Sequence, residues 1–595
     1  MSKAAEGFFQ SDNTEKPLRQ ALLWRLVGYL KPYRKQLALL FALMALGAFL
    51  EVVPAELTMR MINRIVEARS FLGLRPLVEL FIATLLLLLT VTFTRFWLLA
   101  WIGQKAMLDL RRQLFSHLMS RSTHFFHHNP VGRLMTRVTS DVQNLNDMFA
   151  SGIVSIVGDA LSLLAIVLWM FSKNAGMALV AFAVVPPLLV ATEIFRRYAG
   201  EAYRETQGRF AAINAYLQEQ LSGMQLIQVN AQEPRSRSRF KDLNDSYLNA
   251  FIRTIFAYAV FFPVVEFITN ATKAAIIWYA AYKLRLGTLD YGMLVAFIWL
   301  TDRFFRPIRE LAEKYNVMQT ALASSDRVFR LLDNDERIQE AAAPAARTFA
   351  REIRLEEVTF AYDPGGREVV KGLSGAIPKG SRVAVVGHTG AGKSTLINLL
   401  MRFYDVTGGR ITVDGVDARE LPLKDLRSLF GLVLQDVFVF SGTLRENIVL
   451  DRALDEARLE DVLKQSQLHD LVSRLPLGLE TQVGDRGQKL SAGERQLLAF
   501  ARMLYQDPEI LLLDEATANI DSETEHKIQG VIERVSHRLT TFTIAHRLST
   551  IKDADEIWVM DQGRLIERGT HDDLLAQDGH YAKLVRLQFA AEEAA

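Results

Sequence analysis

Six long runs of apolar residues, approximately Gln36 to Ile62, Leu77 to Ile102, Gly152 to Phe171, Gly176 to Phe195, Thr254 to Tyr282 and Leu289 to Ile308, occupy the first half of the chain. A helix that crosses about 30 Å of hydrocarbon needs roughly 20 mostly apolar residues, and each run reaches that length. One such run can be a buried soluble helix; six in succession predict six membrane-spanning helices. Ahead of them, Leu18, Leu22, Leu23, Leu26 and Leu30 recur at helical spacing among Arg19, Arg25 and Lys31. That pattern fits a helix lying along the membrane surface, or a plain linker helix. The connections after the second and fourth runs are long and keep a helical pattern, breaking mainly at Asn129-Pro130 and Ser222-Gly223. They are predicted to continue the spans as helices beyond the membrane.

From about Leu331 to Ala350 the sequence turns polar and Ala-rich, which marks a linker. Beyond it, short Val/Ile/Leu runs alternate with amphipathic helices, the pattern of a largely parallel sheet flanked by helices. The expected organisation is an N-terminal segment over 1–35, a six-helix membrane domain over 36–330, a linker over 331–350 and an α/β domain over 351–595.

Composition supports this division. Of 595 residues 50% are hydrophobic, yet 23% are charged, a mixture that joins a membrane part to a water-soluble part. The net charge of +2 gives no reason to expect nucleic acid as a partner. With no cysteine, disulfides and thiolate metal sites are excluded. Residues Met1 to Lys16 lack the basic start and apolar core of a cleavable signal peptide. Lys105, Arg111, Arg112, Arg121, Arg133 and Arg137 fill the first long connection, and eight further Arg and Lys residues from Arg196 to Lys241 fill the second. Positive segments stay cytosolic, so both termini and the α/β domain are expected in the cytosol; Arg60, Arg64, Arg69 and Arg75 oppose this, and the larger set carries the assignment.

The chemistry lies in the second half. Val383 to Val386 is a β-type run leading into Gly387, His388, Thr389, Gly390, Ala391, Gly392, Lys393, Ser394 and Thr395, and Leu396 to Arg402 continues as a helix. This is a complete phosphate-binding loop between strand and helix. Glycines let backbone N–H groups wrap the phosphates, Lys393 reaches the β and γ phosphates, and Ser394 suits Mg²⁺. Downstream, Ile510 to Leu513 is an apolar strand delivering Asp514 and Glu515 to its end. Asp514 suits the Mg²⁺ shell, and Glu515 the group that orients or deprotonates the attacking water.

Together with Leu490-Ser491-Ala492-Gly493-Glu494-Arg495-Gln496, these motifs resemble the nucleotide-binding domain of ABC transporters. Ser491 and Gly493 match the family signature LSGGQ. The resemblance implies further roles: Tyr362 stacks on adenine, Gln435 senses Mg²⁺, Asp521 closes a dimer-contact loop, and His546 contacts the γ-phosphate. Asn129 to Asp141 resembles the first coupling segment of bacterial ABC exporters, and a second is placed near Glu219 to Val229. Thr481 to Gly487 resembles a loop that exporters set against those couplings.

The resemblance therefore implies ATP and Mg²⁺ as cofactors and a dimer of half-transporters in a cell (inner) membrane, moving hydrophobic small-molecule, lipid or peptide cargo outward by alternating access. Where the family reads SGGQ this chain reads SAGE; Ala492 adds a methyl group and Glu494 a negative charge beside a polyanion. Those changes favour a different half-transporter as partner over a second copy. An ATP-gated channel or regulatory membrane protein is the alternative function, against which Glu515 and His546 argue. Glu51, Glu56, Arg95, Asp159, Glu193, Glu266, Lys273, Asp302 and Arg303 are the charges within the runs that can line a route, form internal ion pairs or sit at the membrane edge.

Overall fold

The computed structural model describes residue 22 and residues 24–68, 73–341, 349–450, 452–514, 522–545 and 551–588. It divides into two compact units, one of Met1–Met119 and Gly132–Asn334, the other of Ser120–Val131 and Asp335–Ala595.

The first unit is helical. Among the described residues, five helical stretches are long and apolar enough to cross a membrane: Lys31–Val66, Arg75–Met119, Val154–Lys173, Ala175–Ser222 and Glu233–Arg285. The sixth apolar run forms the start of a helix over Tyr291–Asp333. Two stretches are interrupted. Arg34–Leu50 and Val53–Ala68 are separate helices, because Pro54 has no N–H to return to the Leu50 carbonyl. Ala175–Phe182 and Val185–Ser222 part where Pro186 and Pro187 occupy the first turn of the second helix. Expected long helical extensions are present: at 1.5 Å per residue the 53 residues of Glu233–Arg285 span about 80 Å, far beyond the hydrocarbon. That helix returns along Val185–Ser222 as an antiparallel pair, with Phe195 stacked on Phe261 at 4.1 Å and the hydroxyls of Thr206 and Thr254 3.0 Å apart. The connection between them runs from Gly223 to Gln232 and holds the short helix Met224–Val229.

Before the third span the helix widens into two π-turn stretches, Arg137–Asp141 and Met148–Ile153. Asp141 is buried there. It accepts from Arg137 at 2.8 Å, from Ser324 at 2.9 Å and from Arg327 at 2.5 Å, which fastens this stretch to Tyr291–Asp333. Burial raises its carboxyl, but those three donors together hold it below the usual carboxylate range.

The second unit holds two sheets. Strands β1 (Glu352–Phe360), β2 (Val370–Pro378), β4 (Gly408–Val413) and β5 (Val416–Asp417) form an antiparallel sheet in the order β2-β1-β4-β5. Strands β3 (Arg382–Val386), β6 (Phe430–Val433), β7 (Ile510–Asp514), β8 (Thr540–Ile544), β9 (Glu556–Asp561) and β10 (Arg564–Gly569) form the other, in the order β10-β9-β3-β8-β7-β6. All its pairings are parallel except β9 with β10. Parallel strands are covered on both faces, which is why β7 reads as unbroken apolar sequence. Its residues alternate between cores: Ile510 and Leu512 join the helix Lys393–Leu400 and the antiparallel sheet, whereas Leu511 and Leu513 join the helices Glu456–Gln465 and Ala492–Gln506.

Candidate functional site

Between β3 and the helix Lys393–Leu400 the chain turns with positive φ at Gly387, Gly390 and Gly392. A Cβ on Gly387 would lie 2.2 Å from the Met560 carbonyl oxygen, and one on Gly392 2.9 Å from that of Val369. Both neighbours are backbone, so only glycine lets the loop close against them. His388, Thr389 and Gly390 are exposed at the lip, with Ala391 and Gly392 buried beneath. Lys393 is buried and donates to the carbonyls of Gly387 at 2.6 Å and His388 at 3.1 Å. Ser394 is exposed and Thr395 buried, which leaves the Ser394 hydroxyl as the one available to a ligand.

Tyr362 leaves the end of β1 and reaches this helix, its hydroxyl 3.1 Å from Thr395 Oγ1. Its ring packs edge-on to Phe360 at 4.9 Å and Tyr404 at 5.1 Å. Burial foremost, then the neighbouring Tyr362 and Glu336, push the Tyr404 hydroxyl up to about 12. Tyr362 thus stands beside the phosphate loop, partly buried, and the exposed part of its ring is available to another π face.

Sheet register gathers the remaining residues. Val385 of β3 pairs with Ile544 of β8, and Ile544 pairs with Asp514 of β7. The phosphate loop and Asp514 therefore leave the same carboxyl edge, separated by one strand, about 10 Å apart at strand spacing. Val433 of β6 pairs with Leu513, so Gln435, two residues beyond Val433, leaves that edge too. Glu515, Asp521 and His546 lie outside the described residues, whereas the strands that carry Glu515 and His546 to this edge end at Asp514 and Ile544. In open parallel sheets ligands bind at that edge. The Ser394 hydroxyl, the Asp514 carboxylate and the Gln435 amide supply the all-oxygen donor set that Mg²⁺ accepts.

Ser491 and Gly493 stand apart from this group, at the start of the helix Ala492–Gln506, whose later residues pack in the other core. Here the structure shows what the sequence reasoning missed. Glu494 folds back as the second half of a capping box: its carboxylate accepts from Ser491 N–H at 2.7 Å, while Ser491 Oγ accepts from Glu494 N–H at 3.2 Å. The Ser-x-x-Glu spacing is the local signal for it. Gln496, two residues on, is buried and donates to the carbonyls of Leu434 and Gln435 at 3.1 and 2.9 Å, joining the signature helix to the Gln435 loop. The Thr481 to Gly487 loop bridges to Thr443 and bonds to Gly442, on the far side of the same loop region.

In the helical unit, four of the charges within the apolar runs, Glu51, Arg95, Asp159 and Arg303, line one cavity together with Arg306. Asp159 pairs with Lys314. Arg303 donates to the Glu51 carbonyl at 3.1 Å, and Arg95 and Arg306 have no ion-pair partner among the described residues. Three guanidinium groups thus face Glu51 and an already paired Asp159. The other charges form internal pairs, Glu56 with Lys173 at 2.9 Å, Lys273 with Asp302 at 2.6 Å and Glu193 with Arg197 at 2.7 Å, while Glu266 is exposed.

Residues 37–308 match the family described as ABC transporter transmembrane region, and residues 370–518 match that described as ABC transporter. An uncharacterized ABC transporter ATP-binding protein of Bacillus subtilis is 36% identical over 590 residues, 98% of this chain and 97% of its own. An ATP-dependent lipid A-core flippase of Chromohalobacter salexigens is 33% identical, over 97% of this chain and 100% of its own. The solved structure of a bacterial Atm1-family ABC exporter with ATP bound superposes with a TM-score of 0.76 at 29% identity, covering 94% of this chain and 98% of that one.

Proposed function

The chain belongs to the ABC transporter family and couples ATP hydrolysis to transport; from that premise we propose that it exports hydrophobic or amphipathic compounds, drug-like or lipid-like, by alternating access in a dimer. The observation that carries this reading is the single carboxyl edge to which β3, β6 and β7 bring the phosphate loop, Gln435 and Asp514, in a chain whose described residues also include five helical stretches of membrane length. In the proposed cycle Lys393 and the loop N–H groups hold the triphosphate, Tyr362 the adenine, and Ser394, Gln435 and Asp514 a Mg²⁺ ion. That ion, when bound, neutralises charge on the phosphates. Glu515 orients or deprotonates the attacking water, and His546 contacts the γ-phosphate. Ser491 and Gly493, which begin a helix in a separate core, complete the site of a partner chain. ATP held between two such domains closes them, and hydrolysis resets the inward-facing state.

The unpaired arginines of the helical unit support a cargo with an anionic group on an apolar body. Guanidinium groups among apolar helices are costly unless they face a polar cavity or a counter-charge, and Arg95 and Arg306 face the cavity. The name of the lipid A-core flippase relative agrees with such a cargo.

Steady-state ATPase activity of the purified chain in lipid, against Glu515→Gln and Lys393→Ala, tests the reading. Turnover that Glu515→Gln abolishes without loss of ATP binding, and that an anionic amphiphile stimulates less in Arg95→Gln, is the expected result. Undiminished turnover in Glu515→Gln removes that residue from catalysis. Turnover by the chain alone identifies the dimer as two copies; binding without turnover identifies a different half-transporter as the partner, the arrangement that Ala492 and Glu494 favour.

A further inference from the structure

Three histidines in five residues, His124, His127 and His128, belong to a segment that the structure assigns to the nucleotide-binding unit, and the ATP site uses none of them. They lie on the short helix Thr123–His128, whose Phe125 is buried. His127 is hydrogen-bonded to the Tyr404 hydroxyl. His124 Nδ1 is hydrogen-bonded to the Glu336 carboxylate, while its Nε2 is buried without a hydrogen-bond partner. His128 Nδ1 lies 3.0 Å from the His124 carbonyl oxygen, and its Nε2 lies 3.2 Å from Asp363 Oδ1. The rings of His124 and His128 are 4.2 Å apart at their centroids. One ring nitrogen of each and a carboxylate oxygen of Asp363 fall within 4.8 Å of one another.

Hydrogen bonds at Nδ1 determine what Nε2 can do. A carboxylate and a carbonyl only accept, so His124 donates from Nδ1 to Glu336 and keeps a lone pair on Nε2, whereas His128 faces an acceptor at both nitrogens, the His124 carbonyl at Nδ1 and Asp363 at Nε2. The His124 tautomer is the one that ligates metals, with a carboxylate behind the far nitrogen as its usual support, and a cation that takes the place of the Nε2 proton of His128 keeps Asp363 beside it as a second ligand. Left unsatisfied, the buried His124 nitrogen is unfavourable, having given up water without gaining a partner. An ion pair with Asp363 serves His128 and leaves His124 as it is; a cation between the three serves all of them.

We propose that His124, His128 and Asp363 form a binding site for one divalent transition-metal ion of the zinc class, with Glu336 orienting His124. Around a tetrahedral ion with bonds of about 2.0 Å, ligand atoms sit about 3.3 Å apart, so small side-chain rotations from the observed spacing suffice. His128 and Asp363 are exposed and open to an ion from solution. Two imidazoles exclude Mg²⁺, which takes oxygen, and set this site apart from the ATP site. Its ligands join the Ser120–Val131 segment to the turn after β1, and the His127–Tyr404–Tyr362–Thr395 contacts lead from the same segment to the phosphate-loop helix. Occupancy therefore ties that segment to the nucleotide core and slows turnover. The effect on turnover rests on the proposed function; the binding does not.

The test uses the full chain in lipid, free of any histidine tag, titrated with Zn²⁺ against a chromophoric chelator and with Co²⁺ followed by visible absorption. One site per chain with tetrahedral cobalt bands is expected. Binding weakens more than about 100-fold in His128→Ala and Asp363→Ala, and roughly 10- to 100-fold in Glu336→Gln. Unchanged affinity in both His128→Ala and Asp363→Ala, or an equal loss in the exposed control His537→Ala, overturns the site. Zn²⁺ lowers ATPase turnover in the unaltered chain and not in His128→Ala; equal inhibition in both overturns the regulatory role while leaving the binding result intact. A chain that binds zinc as expected but hydrolyses no ATP contradicts the proposed function instead.

Discussion

Changing Glu494 to Gln separates two effects of one side chain. In the capping box Glu494 accepts from Ser491 N–H at 2.7 Å and Ser491 Oγ accepts in return. Gln keeps an acceptor at the same position, so the box survives. Only the favourable meeting of a carboxylate with the helix N-terminus is lost, about 0.3–1 kcal/mol. Ser491→Ala instead removes the cap itself, about 1 kcal/mol. The electrostatic effect on ATP is larger. If this helix start meets a partner's γ-phosphate, two unit charges about 6 Å apart at an effective dielectric constant of about 20 repel by about 3 kcal/mol. Salt and the half-exposed position of Glu494 reduce that to roughly 1–2 kcal/mol. Glu494→Gln should then reach half-maximal turnover at about 5- to 30-fold lower ATP, with a thermal midpoint almost unmoved. The assay is ATPase rate against ATP concentration for the dimer that turns over, beside thermal unfolding of each variant. An unchanged KM in a stably folded Glu494→Gln protein would refute the reasoning, because the carboxylate would then be confined to the cap and remote from any phosphate.

Asp141→Asn leaves the cationic Arg137 and Arg327 facing a neutral amide; with both partly exposed, a loss of about 2–3 kcal/mol is expected in thermal unfolding, and a change under about 0.5 kcal/mol would show that the pairing is only superficial. Gly387→Ala drives a Cβ into the Met560 carbonyl at 2.2 Å. It should destabilise the nucleotide-binding unit by about 3 kcal/mol and abolish ATP binding by equilibrium titration, and near-normal affinity would mean that the loop opens without strain.

How much of this was legible beforehand depended on whether the determining interactions were local. The membrane runs, the phosphate loop and the apolar strand before Asp514 are contiguous patterns, and each appears as an element with the expected type. The capping box was equally local, but a charge beside a polyanion drew the reading away from Ser-x-x-Glu. By contrast, Glu51, at the break after Leu50, and Arg95, Asp159 and Arg303, on three different helices, are far apart in sequence, and only packing shows that they share a cavity. The same holds for His124 and Glu336, 212 positions apart. Helix breaks at Pro54 and Pro186 were available in the sequence and were obscured by the continuity of the apolar runs around them.

The helix Glu233–Arg285 contains one internal proline, Pro263. Its ring leaves the Ala259 carbonyl without the N–H that would normally close that turn, so bending is easiest there. The 30 residues before Pro263 make a rod of about 45 Å, and a bend of about 5° at its base swings the far end by about 4 Å. Because Val185–Ser222 is fastened to the rod through Thr206 and Thr254, both arms of the hairpin swing together: a conformational change too slight to disturb side-chain packing at Pro263 arrives at the short helix Met224–Val229 as a displacement about the width of an atom.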